Sequence, residues 1–160
     1  MTSQHHLVGA HIVFYKFVKT PYDEDGKQRE VQAVLLYKRT SDAPIHPSYW
    51  GLIGGSKSGD EDIKETAKRE ATEELETTGM NIVLEDMEGL CSILIIRGQS
   101  IKKEIQYYKA KLDRDMDCLK LKKNEKGKVE GEGLAWFTEE EVHHLYLRPE
   151  DRKALRFFFD

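Results

Sequence analysis

The chain has 160 residues, 39% of them hydrophobic and 34% charged, which is material for a real core in one domain-sized unit spanning residues 1–160. Its 25 basic and 29 acidic residues interleave to a net charge of −4, which argues against a disordered acidic tail and makes a nucleic-acid partner an unattractive reading. With no apolar run near the roughly eighteen residues a bilayer demands, no leader-like start, and two cysteines (Cys91 and Cys118) too few for a disulfide framework, the expectation is a cytoplasmic protein with no membrane partner.

Residues 7–18 are rich in Val, Ile, Phe and Tyr and read as a strand buried on both faces. A turn follows at 21–26, and residues 31–38 alternate as a second strand. Pro44 and Pro47 predict an irregular loop over 41–48. Trp50-Gly51-Leu52-Ile53-Gly54-Gly55 then enters a glycine-punctuated loop ending near Asp60. From Glu61 to about Thr77 there is neither Gly nor Pro, which predicts a helix with Asp60 as its N-cap. Residues 82–84, 90–96 and 101–112 read as three strands, and the lysine-rich stretch 113–133 as an exposed loop or hairpin. A last strand is predicted at 134–137. Thr138 and Glu141 form a capping box for a short helix, and a final helix runs over 149–158. Strands and helices mix without a regular βαβ alternation, so the fold class is α+β or a layered α/β/α sandwich.

The predicted helix after Asp60 is unusual for a solvent-facing one. At about 100° per residue, Ile63, Ala67, Ala71 and Leu75 form an apolar stripe, with Glu70 at its edge. Glu74 falls about 40° from Glu70, inside that stripe, and Glu73 about 60° to the other side. Three carboxylates therefore share one flank. Like charges at this spacing repel, and a half-buried carboxylate without a partner costs several kcal/mol or takes up a proton. A bound hard cation would offset both effects. Clustered carboxylate oxygens suit magnesium, manganese or calcium rather than zinc or copper, and magnesium held by few carboxylates tends to meet substrate phosphates. Helical phase alone leaves open the plainer reading, in which Glu73 and Glu74 belong to a solvated face paired with nearby Lys or Arg.

The spacing G-x5-E-x7-R-E-U-x-E-E, met by Gly55, Glu61, Arg69, Glu70, Ala71, Glu73 and Glu74, resembles the signature of the Nudix hydrolases. The lead-in at Trp50–Gly55 resembles the family's W-x-L-P-G-G entry. Glu76 stands where the family has Gly, so the helix is expected to run about one turn longer and to end near Gly79. Ile53 replaces a common Pro, and Ser58 replaces an acidic residue frequent in relatives.

The resemblance implies a Nudix-type α/β/α sandwich with a mixed β-sheet. It also implies hydrolysis of a nucleoside diphosphate linked to another moiety X, with Mg2+ or Mn2+ as cofactor. Glu70, Glu73 and Glu74 are the implied metal ligands and catalytic carboxylates, with the Gly55 carbonyl as a further ligand. Glu70 is one candidate for the general base. Arg69 is implied to orient the carboxylates, with Glu73 and Glu65 each four residues away, and Glu61 to buttress the loop or the helix start. A further ligand often precedes a Trp-containing strand in this family, which makes Glu130 and Glu132, ahead of Trp136, the candidates. Arg39 stands where relatives often place a basic substrate contact.

Other signals carry less. Asp113-x-Asp115-x-Asp117 resembles the opening of an EF-hand loop, but Cys118 and Asn124 occupy positions that need Gly and Glu. The lysines from Lys120 to Lys128 lack interleaved aromatics and read as a solvated loop. His143 and His144 are adjacent, so they project in different directions and do not pair as helical ligands. Phe157-Phe158-Phe159 reads as packing for the last helix; exposure of those rings would instead suggest a homodimer surface. The alternative from another class is a Nudix-fold nucleotide-binding or regulatory module that does not hydrolyse. Isomerase chemistry on a related fold would expect a cysteine nucleophile, and neither Cys91 nor Cys118 has a motif around it.

Overall fold

An apolar run flanked by turn residues becomes the hub of the sheet. The structure, a computed structural model, describes residues 6–77, 87–98, 101–113, 119–122 and 131–160. Strand β1 (His6–Lys19) is buried continuously from Gly9 to Phe14, which requires neighbours on both faces. One edge of β1 pairs antiparallel first with β4 (Ile53–Ser56), over Gly9 to Ile12, and then with β2 (Glu30–Arg39), over Tyr15 to Lys19. Its other edge pairs parallel with β7 (Ile101–Lys111), which pairs antiparallel with β6 (Glu88–Arg97). Beyond the β1 pairing, the same edge of β2 meets β3 (Trp50–Gly51), and the other edge of β2 pairs with β9 (Gly131–Thr138). The result is a mixed seven-stranded sheet.

Helices cover both faces, giving the expected α/β/α layering. Helix α1 (Ile63–Glu74) packs Ala67 and Ala71 onto Ala10, Ile12, Phe14, Leu35 and Ile53. On the opposite face α2 (Glu139–Val142) and α3 (Pro149–Phe159) bring Val142, Ala154, Leu155 and Phe158 against Val13, Val34, Leu36 and Tyr107. The Thr138–Glu141 capping box is present as read from sequence. Phe158 is buried, its ring tilted against Tyr15 and edge-on to Phe159, whereas Phe157 faces outward.

Three local expectations need correction. Helix α1 ends at Glu74 rather than continuing toward Gly79. Leu75 is extended (φ −120°, ψ 130°), its side chain enters the core, and β5 (Leu75–Thr77) pairs with β8 (Leu119–Leu121). Pairing of a three-residue strand with a buried leucine outweighs the helical propensity of the sequence. The second correction follows from the first, because part of the lysine-rich stretch is ordered by that pairing. Lys122 donates from its backbone to Glu74 O (2.8 Å) and from Nζ to Thr72 O (2.6 Å), satisfying carbonyls that a helix end leaves open. Third, the N-cap is Asp62, not Asp60, and it makes no side-chain cap bond. The chain turns at Ser58–Glu61 (Glu61 N to Ser58 O, 3.1 Å) before the helix begins. The strand expected at 82–84, Gly79 and Cys118 lie outside the described residues.

On the α3 face the interior takes in polar groups. Asp151 is fully buried, accepting from Tyr107 Oη at 2.7 Å and from Arg148 Nη2 at 3.1 Å. His11 is buried beside them, its ring stacked 5.5 Å from Tyr107 and its Nδ1 3.4 Å from Leu52 O. Burial pushes the His11 imidazole below its usual pKa and the Tyr107 phenol above its own. Removing one partner of such a group leaves the others buried and unpaired. Asp151→Ala is therefore expected to lower stability by about 3 kcal/mol or more, measured by urea unfolding. A loss within experimental error of zero would contradict this account of the network.

Candidate active site

Two consecutive glycines in β4 bring backbone and carboxylates together. Gly54 has φ +155°, and a Cβ there would stand 2.2 Å from Ala10 O and 2.6 Å from His11 Cα, so no side chain fits. Its N–H donates to Glu74 Oε2 at 3.3 Å. At Gly55 a Cβ would fall 2.4–2.6 Å from the carboxylate atoms of Glu70. The Glu70 carboxylate therefore lies directly on the Gly55 backbone, in space that only glycine leaves open.

Arg69 organises the rest. Its Nε donates to Glu61 Oε2 at 2.8 Å and its Nη2 to Glu61 Oε1 at 3.1 Å, a two-pronged pair. Nη1 donates to Glu70 Oε1 and Glu73 Oε2, each at 3.1 Å, and Nη2 also reaches Ser56 O at 2.9 Å. One guanidinium thus holds three carboxylates and fixes the β4–α1 connection to the helix. Glu61 also accepts from Thr66 Oγ1 at 2.8 Å and from Ser58 N at 3.2 Å. These bonds, that to Arg69 first, lower its pKa from 4.5 to about 2. Glu65 does not join Arg69 as expected; it approaches Lys68 at 4.0 Å.

The helical phase read from sequence places the glutamates as follows. Glu70 is 14% exposed, Glu73 57% exposed, and Glu74 half-buried. Their oxygens and the Gly55 carbonyl are hard donors, the type that suits a magnesium-like cation. The glycine track leaves the close approach such a site needs. In the present arrangement the three carboxylates do not converge: Glu70 and Glu73 turn to Arg69, Glu74 turns to Gly54, and no group of three His, Cys, Asp or Glu among the described residues is arranged around a common point. The residues fit a divalent cation in donor type and placement on one flank.

The remaining candidates lie apart from this flank or serve the loop beside it. Arg39 donates from Nε to Ile45 O at 3.1 Å and from Nη1 toward Tyr37 Oη at 3.5 Å, clasping the loop over 40–49. Glu132 accepts from Ser41 N at 2.7 Å and tethers the same loop. Glu130 lies outside the described residues. Tyr37 is a residue that sequence reading missed. It is buried, and its pKa is raised by burial and then by the charge of Glu74, which puts its hydroxyl within electrical reach of the glutamate flank.

Comparisons with known proteins agree with this architecture. A model of the NUDIX domain matches residues 20–158. The chain belongs to the Nudix family. No curated protein sequence matches the chain. Among solved structures it is similar to an Ap4A hydrolase from C. elegans in a binary complex (22% identity, TM-score 0.63, covering 95% of each chain). It is also similar to a MutT NUDIX hydrolase from Burkholderia pseudomallei (24% identity, TM-score 0.60, covering 94% of this chain and 95% of that one). A third likeness is to the NUDIX domain of Shewanella oneidensis NrtR complexed with ADP ribose (18% identity, TM-score 0.64, covering 98% and 88%). At these identities the likeness establishes the shared fold. Among the described residues no helix is long and apolar enough to cross a membrane.

The Glu61–Arg69 pair makes a pH-dependent contribution to stability. Glu61's folded pKa is about 2, below its unfolded value of 4.5. The contribution is therefore complete above pH 4.5 and lost as pH falls toward 2. Urea midpoints of wild type and Glu61→Gln should differ most above pH 4.5 and converge below it. A gap that held constant down to pH 3 would contradict the pair's assigned role.

Proposed function

We propose that the chain is a metal-dependent pyrophosphohydrolase that cleaves the diphosphate linkage of a nucleoside diphosphate joined to another moiety X. The observation that carries this reading is the seating of Glu70 and Glu74 against the consecutive glycines Gly55 and Gly54, with Arg69 holding Glu70 and Glu73. A set of carboxylates this close on one helix flank is costly unless positive charge completes it. Glu70, Glu73, Glu74 and the Gly55 carbonyl would hold Mg2+ or Mn2+, with Glu130 or Glu132 as the downstream candidate for a further ligand. Bound there, the ion would neutralise the charge that builds on the phosphoryl oxygens.

The chain's own residues supply orientation and proton transfer. Arg69, anchored by Glu61 and Ser56 O, fixes the rotamers of Glu70 and Glu73. Glu70 is one candidate to accept the proton of the attacking water. Arg39, beside Tyr37, is the candidate for a basic substrate contact. Cys91, whose thiol is pushed up by burial, is a poor thiolate nucleophile, which weighs against isomerase chemistry. A nucleotide substrate and a hard metal ion fit the cytoplasmic setting expected from sequence.

A second reading has one observation in its favour, the likeness to the NrtR NUDIX domain complexed with ADP ribose. In it the chain would bind a nucleotide and regulate rather than hydrolyse. A magnesium-dependent hydrolysis panel separates the two, using nucleoside triphosphates, ADP-ribose, nucleotide sugars, dinucleoside polyphosphates and capped RNA. Turnover of at least one class is expected; binding without turnover on all of them would favour the regulatory module. Glu74→Gln should lower kcat by about 100-fold or more with little change in melting temperature, and unchanged turnover would remove the catalytic assignment. Gly55→Ala should displace the Glu70 carboxylate and cost kcat about tenfold or more, measured on whichever substrate the panel identifies.

A further inference from the structure

Two of the three flank glutamates stand at the unfavourable end of a helix. Glu73 and Glu74 are the last residues of α1, where partial negative charge gathers and backbone carbonyls lack an intrahelical donor. Acidic side chains are favoured at the opposite terminus and cations at this one. The last turn of α1 carries no basic residue, and Leu75 N–H, donating to Ala71 O, closes only one carbonyl.

Two further carbonyls end on a single residue from elsewhere in the chain. Lys122 Nζ donates to Thr72 O at 2.6 Å, and Lys122 N–H donates to Glu74 O at 2.8 Å. These carbonyls lie on either side of Glu73 in sequence. Side-chain and backbone donors of one lysine therefore grip the turn from which both glutamates project, and its ammonium meets the negative end of the helix.

Lys122 holds this turn because it is itself held. It directly follows β8, in which Leu119 is buried and Leu121 packs on the core under α1. Leu121 lies opposite Leu75 in register, so the Lys122–Glu74 bond continues the two-stranded ladder by one step onto the helix end. From the other side, a Cβ at Gly131 would stand 2.8 Å from Leu121 Cδ1, so β9 backs the same leucine. Glu74 is thus fixed twice, at its carboxylate by Gly54 N–H and at its carbonyl by Lys122.

We propose that Lys122 is a positioning residue for the cation site, acting through the last turn of α1 without touching the ion or the substrate. The assignment rests on the hydrolase reading above for the ion that the glutamates hold. Its side chain exerts two opposed effects, and their sign separates them. As a positive charge near the flank, the ammonium repels a divalent cation, so loss of the charge alone would tighten binding. As a clamp, it keeps Glu73 and Glu74 in place, so loss of the clamp weakens binding. Groups that orient metal ligands are typically worth about 10–100-fold in affinity, so the clamp is the larger effect.

The test is Mn2+ binding by electron paramagnetic resonance in wild type, Lys122→Met and Lys122→Arg, with amide hydrogen exchange of the metal-free proteins beside it. Lys122→Met keeps the apolar stem and removes the side-chain donor. It should weaken Mn2+ binding about tenfold and make Leu75 N–H exchange faster, with the first turn of α1 unchanged. Lys122→Arg, which keeps charge and donors, should recover most of the lost affinity. Lys122→Gln, uncharged and one bond shorter, replaces Lys122→Met if that variant does not fold, and should weaken binding in the same direction. Affinity in the neutral variant equal to or tighter than that of a Mn2+-binding wild type would overturn this assignment alone. A lower melting temperature with unchanged Mn2+ affinity would do the same, since it marks a structural role only. A wild type that binds no Mn2+ would overturn the cation site and this assignment with it.

Discussion

A guanidinium carries five N–H donors in one plane, and those of Arg69 meet two oxygens of Glu61, one each of Glu70 and Glu73, and the carbonyl of Ser56. This single side chain ties the connection after β4, through Ser56 and Glu61, to the later turns of α1. It also sets two of the three flank glutamates in fixed rotamers. One positive charge among three carboxylates leaves an excess of negative charge on the helix flank, and that excess is the feature most in need of a chemical partner. The third glutamate, Glu74, is held separately by the Gly54 N–H.

The fold supplies the backbone against which this clamp works. Because β1 pairs with β4 at one end and with β2 at the other, β4 is presented to α1 at short range. Gly9, Gly54 and Gly55 make that approach feasible: a Cβ at Gly9 would stand 2.7 Å from Gly55 O, just as those at Gly54 and Gly55 would strike β1 and Glu70. Close backbone packing and carboxylate placement are thus one constraint. Stability and site geometry are coupled here, so changes to these glycines should affect both. The two faces of the sheet divide the work, with α1 carrying the glutamates and the start of α3 carrying the buried Arg148–Asp151 pair.

Much of this was legible in the sequence. Helical phase placed Glu70 at the edge of the apolar stripe and Glu74 inside it, and both have little or moderate exposure while Glu73 faces out. The strands over 7–18, 31–38, 90–96, 101–112 and 134–137, the capping box at Thr138 and the final helix followed from periodicity and turn residues, whereas β3 and β4 form where a glycine-punctuated loop was read. What escaped was set by contacts distant in sequence. Leu75 leaves the helix because β8 lies alongside, which composition could not reveal. Glu61 reads locally as an ordinary acid near a helix start, yet its partner is Arg69, two turns along the helix. His11 and Tyr107 sit in apolar runs and pass for core, and the R-x-x-D spacing of Arg148 and Asp151 was the one local hint of their buried pair. Arg39, read as a candidate substrate contact, and Glu132, read as a candidate metal ligand, also hold the loop over 40–49, a role that no local pattern announces.

The central claim is that the glutamates of α1 form a hard-cation site built on the Gly54–Gly55 backbone. Electron paramagnetic resonance titration with Mn2+ tests it most directly, because free and protein-bound Mn2+ give distinct signals without requiring a known substrate. Wild type should bind Mn2+, with Mg2+ competing, and Glu70→Gln and Glu74→Gln should each weaken binding about tenfold or more. Binding that none of the flank substitutions alters, or no bound Mn2+ at all, would contradict it.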